Sequence, residues 1–504
     1  MKKLIFFLFL LGFLIRAWYF LSPLGRVSFF TVDEAVYGVQ SLRILEGVRP
    51  VFYPAQVYTG SLSAYFAALL YFLFGFHPIF LKLVPFVFSL LFIFLNYRLA
   101  LVVFRAKSYA LLTLLLTSLA TPFWNNWASR AGTGYVEVSV VGSVMLLISL
   151  NLVSKELLTS RKSVLFFLLG FLSGLGFWIQ PTIIYYILPI IFFLTFTYKG
   201  LLTDRNAYLA PLGYILGNLP VIIYNLSYNG ATTRTLFKLP WGIKTALIKL
   251  VSEGMPVIVG VRTSNSTRDF FTPLAVLILL ILLGALFYFS KITLKSFSKR
   301  LAQGHISLVA SDLIFLTFFS TLVLFLVSTP FNQFSIEPRY LFSLYSTLPL
   351  ILAFFLVRLW NLNKAIFTVV LVLYIANWTL GMAIAGPTTF NDNYQVENLA
   401  KYMKDNSFKD IISDPVLGHR IMFHSGLSVL SAVRGGGITE WRFPDINQKV
   451  ITTRDRDNFS VSFIALKDST YEKDFEREID SFVGNSFEKL VVDNTFVILK
   501  PVRK

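Results

Sequence analysis

The chain has no cysteine and few charged residues, and both deficits narrow what it can be. Without cysteine it forms no disulfide, uses no thiolate nucleophile and binds no metal through a cysteine thiolate. Cysteine usage therefore does not indicate the redox compartment of the protein. Charged residues make up only 14% of the 504 residues, against about a quarter in soluble proteins. Histidine is also scarce. Its four copies are scattered, so we expect surface positions for His419 and His424 and no histidine metal cluster.

Apolar and aromatic residues are abundant instead. Hydrophobic residues make up 55% of the chain, including 52 Phe, 23 Tyr and 8 Trp, and the mean hydropathy is +0.67. This composition predicts a polytopic membrane protein with aromatic belts at its interfaces. The net charge of +18 would suggest a nucleic-acid partner in a soluble chain. Here many Lys and Arg residues lie in short loops between apolar runs, which is the positive-inside pattern, and no nucleic-acid partner is expected.

The apolar runs predict about eleven transmembrane helices, with the N-terminus inside and the C-terminus outside. The first run follows Lys2 and Lys3 and has no small-x-small cleavage site, so we interpret it as a retained helix, with Arg16 snorkelling to the outer interface. The run from Ser61 to Phe76 is too short for roughly 30 Å of hydrocarbon, and we assign it to a helix embedded in the outer leaflet. The predicted spans are residues 4–22, 79–103, 108–123, 135–153, 164–179, 181–199, 207–226, 270–290, 312–329, 340–357 and 365–386.

The chain becomes polar after the last span. We therefore predict a membrane-embedded domain at residues 1–386 and a small extracytoplasmic α/β domain at 387–504, a polytopic α-helical fold with juxtamembrane amphipathic helices. Helix patterns occur near residues 394–405 and 471–483. Alternating strand patterns occur at Ser460–Leu466 and Lys489–Leu499, the second folding as a hairpin at Asp493-Asn494. No catalytic constellation is evident in this region.

Two adjacent carboxylates, Asp33 and Glu34, follow the first span directly and start an amphipathic helix at residues 32–46. Two interpretations compete. Thr31 and Glu34 fit a capping box, in which case the acids only start the helix. Alternatively, the cap holds Asp33 rigidly as a general base or substrate-binding acid. Tyr37 recurs on the same polar helix face as Asp33 and is a candidate substrate contact.

Other charged residues that resist a purely structural explanation fall on the same predicted outer face. Glu137 begins an apolar helix about two turns after Arg130, and either neutralises that arginine or serves the reaction. Arg339 either snorkels or clamps a phosphate, which the guanidinium geometry suits. A basic outer segment between spans seven and eight carries Arg262 and Arg268. These arginines either have no functional role or attract an anionic headgroup.

A carboxylate near arginines at the outer leaflet suits a reaction in which the acid deprotonates an acceptor hydroxyl while cations stabilise a departing phosphate. The sequence therefore predicts glycosyl transfer from a polyprenyl-phosphate sugar to an extracytoplasmic glycan, lipid or protein, at the plasma membrane. The alternative is a lipid-linked glycan transporter or flippase, although no internal repeat supports it. No cofactor is expected, and assistance by a divalent metal stays open.

Four motifs together resemble a known family. They are Asp33-Glu34 after the first span, a Tyr-x-Gly-Ser-Leu segment that starts at Tyr58, the Arg-x-Lys before span three, and Glu337-Pro-Arg339-Tyr-Leu-Phe. Their order and spacing are similar to those of the C superfamily of integral-membrane glycosyltransferases. Within it they most resemble the family 39-like branch, which includes protein O-mannosyltransferases and the lipid A aminoarabinose transferase. The likeness covers roughly residues 1–386 and the arrangement with an outer C-terminal domain.

The resemblance implies roles for individual residues. Asp33 would act as the base or acceptor-binding acid with Glu34 beside it, Arg130 would match the second-loop arginine, and Arg339 would contact the donor phosphate. One departure concerns the acid that many members carry shortly after that second-loop arginine. This chain reads Ala-Gly-Thr-Gly-Tyr there, and its nearest acid is Glu137. The expected site thus comprises catalytic acids and substrate-binding residues: Asp33, Glu34 and Glu137; Arg130, Arg339, Arg262, Arg268, Tyr37 and Tyr58.

Overall fold

The structure is a computed structural model. It describes residues 2–22, 30–132, 134–153, 159–198, 200–236, 243–263, 271–304, 307–328, 338–385, 396–435, 438–439, 442–483 and 486–503. Arg268 and Glu337, and the predicted domain boundary at 386/387, lie outside these residues.

The chain up to residue 385 is helical throughout its described parts. Short 3₁₀-helices occur at Pro181–Ile183, Arg205–Tyr208 and Pro338–Ser346, and a π-helical turn at Leu250–Gly254. The α-helices are α1 (Lys2–Leu21), α2 (Val32–Leu45), α3 (Leu62–Phe74), α4 (Ile79–Phe104), α5 (Lys107–Leu119), α6 (Pro122–Trp127), α7 (Tyr135–Leu152), α8 (Thr159–Ile179), α9 (Ile184–Thr197), α10 (Leu209–Gly217), α11 (Leu219–Ser227), α12 (Ala231–Leu236), α13 (Ile243–Lys249), α14 (Met255–Ile258), α15 (Thr272–Ala302), α16 (Ala310–Ser328), α17 (Leu348–Leu362) and α18 (Lys364–Ala385).

Each predicted span coincides with a helix or a bent helix pair. Among the described residues, seven helices are long and apolar enough to cross a membrane, or up to nine if each bent pair is one span. The bent pairs are 205–227, which turns by 57°, and 338–362, which turns by 50°. The two other predicted spans correspond to the shorter apolar helices Lys107–Leu119 and Pro181–Thr197. A multi-pass helical membrane protein is therefore confirmed.

Arg16 differs from its predicted role. The side chain is 1% exposed instead of snorkelling, and its guanidinium donates hydrogen bonds to the carbonyl oxygens of Ser118 and, at 2.7 Å, Thr117. These carbonyls lie at the end of α5, where backbone acceptors have no partner within the helix. A buried arginine thus satisfies one helix end within the bundle.

The two short helices that precede α4 form as predicted. Thr31 accepts a hydrogen bond from the Glu34 backbone N–H at 3.2 Å, while Glu34 Oε2 accepts from the Thr31 backbone N–H at 3.0 Å. This confirms the capping box and fixes where α2 begins. The helix α3 has only 13 residues, which rise about 20 Å and are too few to span the membrane alone.

The polar C-terminal region folds around one mixed sheet. Its strand order is β3-β2-β1-β4-β6-β5, with β1 parallel to both β2 and β4 and the other neighbouring pairs antiparallel. The hairpin turn at Asp493-Asn494 is confirmed, since both residues adopt φ of 52° between β5 and β6. The elements are α19 (Val396–Asp405), β1 (Asp410–Ser413), α20 (Gly418–His424), β2 (Leu430–Gly435), β3 (Ile438–Thr439), α21 (Pro444–Arg456), β4 (Ser462–Leu466), α22 (Thr470–Val483), β5 (Phe487–Val492) and β6 (Phe496–Pro501).

The helix α20 of this region packs directly on α2. The Phe423 ring lies against Gly38, so closely that a Cβ on Gly38 would sit 2.3 Å from the ring. Phe30 packs edge-on to the same ring, with centroids 5.0 Å apart. At the far end of α2, Arg43 forms a two-pronged ion pair with Asp445, with one N–O distance of 2.9 Å. The acid-bearing helix is therefore held between the membrane helices and the C-terminal sheet region.

Candidate active site

The capping box gives the two adjacent acids opposite surroundings. Because Asp33 and Glu34 are consecutive on a helix, their side chains point in different directions. The Asp33 side chain is 57% exposed, whereas Glu34 is 1% exposed. Only the first of the two can meet a substrate that arrives from solvent.

Asp33 has two polar partners on the same carboxylate oxygen. The Tyr53 hydroxyl donates a hydrogen bond to Oδ1 at 3.0 Å, and a guanidinium nitrogen of Arg442 lies 3.8 Å from it. Burial, followed by the charge of Asp33, holds the pKa of Tyr53 well above its ordinary value, while Arg442 opposes the rise. Tyr53 therefore stays a hydrogen-bond donor at neutral pH. Sequence reasoning missed both partners, because neither stands in a recognisable motif.

Asp33 lines a cleft of about 370 Å³ together with Arg339 and a group of polar side chains. The arginine is held in an aromatic box: its guanidinium carbon lies 5.8, 5.8 and 5.7 Å from the ring centroids of Trp127, Tyr135 and Tyr340. The cleft is lined by Asp33, Tyr53, Gln56, Tyr58, Thr59, Tyr135, Gln180, Arg339 and Tyr340. It thus combines one half-exposed carboxylate with one guanidinium, and it brings together Asp33, Tyr58 and Arg339 of the expected site.

Tyr58 contributes a protonated phenol to this cleft. Burial and the neighbouring Tyr340 raise its pKa, and Arg339 counteracts the shift. A neutral hydroxyl beside a guanidinium can donate a hydrogen bond to an anionic or sugar oxygen without adding charge.

Glu34 is the centre of a buried charge cluster outside the cleft lining. Its Oε1 accepts a hydrogen bond from the backbone N–H of Ala131 at 3.1 Å and lies 3.7 Å from Lys82 Nζ. Arg130 also belongs to this cluster: burial lowers the pKa of its guanidinium, and Glu34 counteracts that shift. The structure therefore brings Glu34 and Arg130 together, but does not bring either into the cleft.

Glu137 occupies a third place, below α2. It is 2% exposed, and its Oε1 accepts a hydrogen bond from the Ser63 hydroxyl at 3.0 Å. Tyr37 lies between the two acids: burial raises its pKa well above the ordinary value, with further contributions from Glu137 and then Asp33. Its ring packs against Tyr53 with centroids 4.6 Å apart. Tyr37 and Glu137 thus support the cleft from inside and do not line it.

Arg262 does not reach the cleft either. Its guanidinium donates a hydrogen bond to the backbone carbonyl of Ser252, within the segment that joins α11 and α15. Within the described residues, no group of three or more His, Asp or Glu side chains is arranged to hold a metal ion.

The expected surface positions of His419 and His424 are wrong. His419 is 1% exposed, and burial with the nearby Arg442 lowers its pKa to about 3. Burial, Arg420 and Lys82 likewise lower the pKa of His424 to about 3. Both side chains lie on α20, whose apolar neighbours pack onto α2, and that docking buries His419 and both ring nitrogens of His424.

Comparisons with known proteins give a family match for part of the chain and a fold match for most of it. The sequence profile of the dolichyl-phosphate-mannose-protein mannosyltransferase family matches residues 60–224. Comparison with curated protein sequences finds no match. The solved structure of ArnT from Cupriavidus metallidurans in the apo state is similar, with a TM-score of 0.62, 13% identity and 93% of each chain covered.

Two further solved structures share the fold. ArnT from Cupriavidus metallidurans bound to undecaprenyl phosphate matches with a TM-score of 0.60 and 14% identity over 93% of each chain. The oligosaccharyltransferase AglB from Archaeoglobus fulgidus was solved in complex with an inhibitory peptide and a dolichol-phosphate. It matches with a TM-score of 0.53 and 14% identity over 96% of this chain and 71% of that one. The predicted resemblance is confirmed: residues 60–224 match the mannosyltransferase family profile, and the chain shares the fold of ArnT and AglB.

Proposed function

We propose that the protein transfers a sugar from a polyprenyl-phosphate donor to a hydroxyl of an extracytoplasmic acceptor, with inversion at the anomeric carbon. One observation carries the proposal. A half-exposed carboxylate, Asp33, and a guanidinium held in an aromatic box, Arg339, line the same cleft. This pairs a proton acceptor with a phosphate-binding cation in one cleft.

In the proposed reaction the acceptor oxygen attacks the anomeric carbon and its proton passes to the Asp33 carboxylate. The bond between that carbon and the donor phosphate oxygen breaks on the opposite side, and both bonding electrons leave with polyprenyl phosphate. Arg339 meets the negative charge that develops on this phosphate, because a guanidinium can bind two phosphate oxygens at once. A single displacement of this kind inverts the anomeric configuration.

An apolar cavity supports a lipid-linked donor. Its walls include Trp124 and Tyr345, whose rings pack together at 5.0 Å. Phe342 and Tyr135, whose centroids are 5.9 Å apart, continue this aromatic cluster toward the box around Arg339. Isoprenoid units would gain hydrophobic stabilisation there while the phosphate stays at the arginine. The relatives solved with undecaprenyl phosphate and with dolichol-phosphate favour the same class of donor.

The membrane arrangement is part of the proposal. Eleven spans, with the N-terminus in the cytoplasm, put the cleft and the sheet region on the extracytoplasmic face of the plasma membrane. We propose residues 1–386 as the catalytic membrane domain and 387–504 as the outer domain. No cofactor is required for the displacement itself, and a divalent metal would add only to the cation already supplied by arginine.

The other sequence-derived site residues receive supporting roles. Glu34 and Arg130 fix the start of α2 to the second outer loop, and Glu137 and Tyr37 pack beneath Asp33. Arg262 and Arg268 lie in the basic outer segment, which would attract anionic lipid headgroups toward the cleft.

The test uses purified full-length protein in lipid nanodiscs, with polyprenyl-phosphate sugars and a panel of glycan, lipid and peptide acceptors. We expect free polyprenyl phosphate and a glycosylated product in equal amounts, and in Asp33→Asn a fall of both to a slow residual rate that only single-turnover assays detect. Full turnover by Asp33→Asn would remove the proposed base. Movement of lipid-linked sugar across vesicles without any new glycosidic bond would instead establish the flippase alternative.

A further inference from the structure

Two residues that are far apart in sequence contact the same carboxylate oxygen of Asp33. Tyr53, in the first outer loop, donates its hydroxyl to Oδ1 at 3.0 Å, and Arg442, just before α21, lies 3.8 Å from the same atom. Among the described residues, no hydrogen bond reaches Oδ2. The carboxylate therefore presents two unequal oxygens, one engaged by protein groups and one that accepts no hydrogen bond from the described residues, on a side chain that lines the cleft.

Tyr53 is fixed by a closed loop that makes its hydroxyl a rigid donor. The backbone N–H of Tyr53 donates to the Thr59 carbonyl at 2.7 Å, and the Trp178 indole N–H donates to the Val51 carbonyl at the same distance. Gly60 N–H donates to Ile179 O at 3.0 Å, an approach that only glycine permits, because a Cβ there would lie 2.3 Å from the Trp178 carbonyl oxygen. The phenol is 3% exposed and so has little freedom to turn away.

Arg442 is fixed by the contacts that follow it in sequence. Phe443 is buried in the cluster that also contains Val36 and Val39 of α2. Asp445 pairs with Arg43 at the other end of the same helix. The segment 442–445 thus lies along α2, with its arginine at the end where Asp33 stands.

We propose that Tyr53 and Arg442 are positioning residues that hold Oδ1 of Asp33, so that Oδ2 is the atom that receives the acceptor proton. This rests on the proposed function. Rotation about the last bond of an aspartate side chain is soft, so a free carboxylate would sample many orientations. Fixing one oxygen keeps the other aimed at the acceptor hydroxyl, and the rate of a positioned reaction depends steeply on such alignment. The proposed role of Arg442 also gives the C-terminal region a direct part in the active site.

The test compares Tyr53→Phe and Arg442→Met with wild type, each alone and in an Asp33→Asn background. Tyr53→Phe removes one oxygen and keeps the buried ring. We expect each single variant to lower kcat roughly 10- to 100-fold with an unchanged KM for the donor. In the Asp33→Asn background, followed by single-turnover release of polyprenyl phosphate, either second substitution should change the rate less than about twofold. Arg442→Lys should recover part of the lost rate.

Tyr71→Phe is the matched control, because it removes another buried phenol oxygen, in α3, that makes no hydrogen bond within the described residues. It should keep wild-type kinetics. An unchanged kcat in Tyr53→Phe, or an equal loss with and without the Asp33 carboxylate, would overturn the proposal while the proposed function stands. Full activity of Asp33→Asn alone would instead remove the proposed base and, with it, the positioning role of Tyr53 and Arg442.

Discussion

The Glu34 carboxylate and the Lys82 ammonium lie 3.7 Å apart, and both side chains are closed to solvent. Glu34 therefore has three tasks at once: it caps α2, binds the Ala131 backbone N–H, and neutralises a buried lysine. Its neighbour Asp33 has none of these tasks and faces the cleft. The capping interpretation is confirmed for Glu34, and the catalytic interpretation stays a proposal for Asp33.

Removing the Glu34 charge should destabilise the protein. Glu34→Gln keeps the size of the side chain but leaves the buried Lys82 ammonium without its carboxylate, which costs about 3–5 kcal/mol for a buried pair. We expect a clearly lower thermal unfolding midpoint in detergent. Adding Lys82→Met should restore part of the loss, since it removes the stranded ammonium, while the Arg130 guanidinium of the same cluster remains. Glu253→Gln breaks the more exposed pair with Lys249 and should change stability by less than about 1 kcal/mol.

Docking of the C-terminal region onto α2 depends on the absence of a side chain at Gly38. In Gly38→Ala the new methyl group would overlap the Phe423 ring, and overpacking of this kind costs about 1–3 kcal/mol. We expect faster hydrogen–deuterium exchange in α2 and α20, and recovery when Phe423→Leu is added. Gly284→Ala, in the middle of α15 with open space around it, should instead be neutral or stabilising.

The sequence predicted the helices well because lipid imposes a simple rule: each span must be apolar and long enough. The capping box and the β5–β6 hairpin were likewise predictable, because each is set by residues close together in the chain. The partners of the acids were not. Tertiary folding alone brings Tyr53 and Arg442 to Asp33, and Lys82 and Ala131 to Glu34. No local sequence pattern marks these four residues. The predicted surface histidines failed for the same reason, since the docking of α20 buries them.

Arg339 should control the use of the donor. Arg339→Met keeps a long apolar stem inside the aromatic box but removes the cation, and we expect kcat/KM for the lipid-linked sugar to fall roughly 100-fold. Arg339→Lys should recover only part of this, because an ammonium cannot bind two phosphate oxygens in parallel. Steady-state kinetics in nanodiscs measures both. Arg234→Met, an exposed arginine that bonds only the Tyr228 carbonyl among the described residues, should keep wild-type values, and equal losses in the two positions would point to a general charge effect.

His424 should make the docking of the C-terminal region sensitive to acid. Its pKa is lowered to about 3 because the ring is largely buried and faces the cations Arg420 and Lys82, and the neutral rings of Phe30 and Phe423 pack beside it. The folded state therefore favours the neutral ring, and the stabilisation is complete above the ordinary pKa near 6.5. It is lost as pH falls from 6.5 toward 3, by about 2–3 kcal/mol at pH 4.5.

The substitution His424→Phe isolates this contribution. Neither ring nitrogen makes a hydrogen bond within the described residues, so phenylalanine leaves no polar partner stranded. Unfolding midpoints measured from pH 7.5 to pH 4.5 should fall less steeply in His424→Phe than in wild type. His77→Asn, which removes an exposed histidine, should leave the slope unchanged. A wild-type slope in His424→Phe would mean that the ring already takes up its proton in the folded protein, and that the cations around it do not oppose that proton.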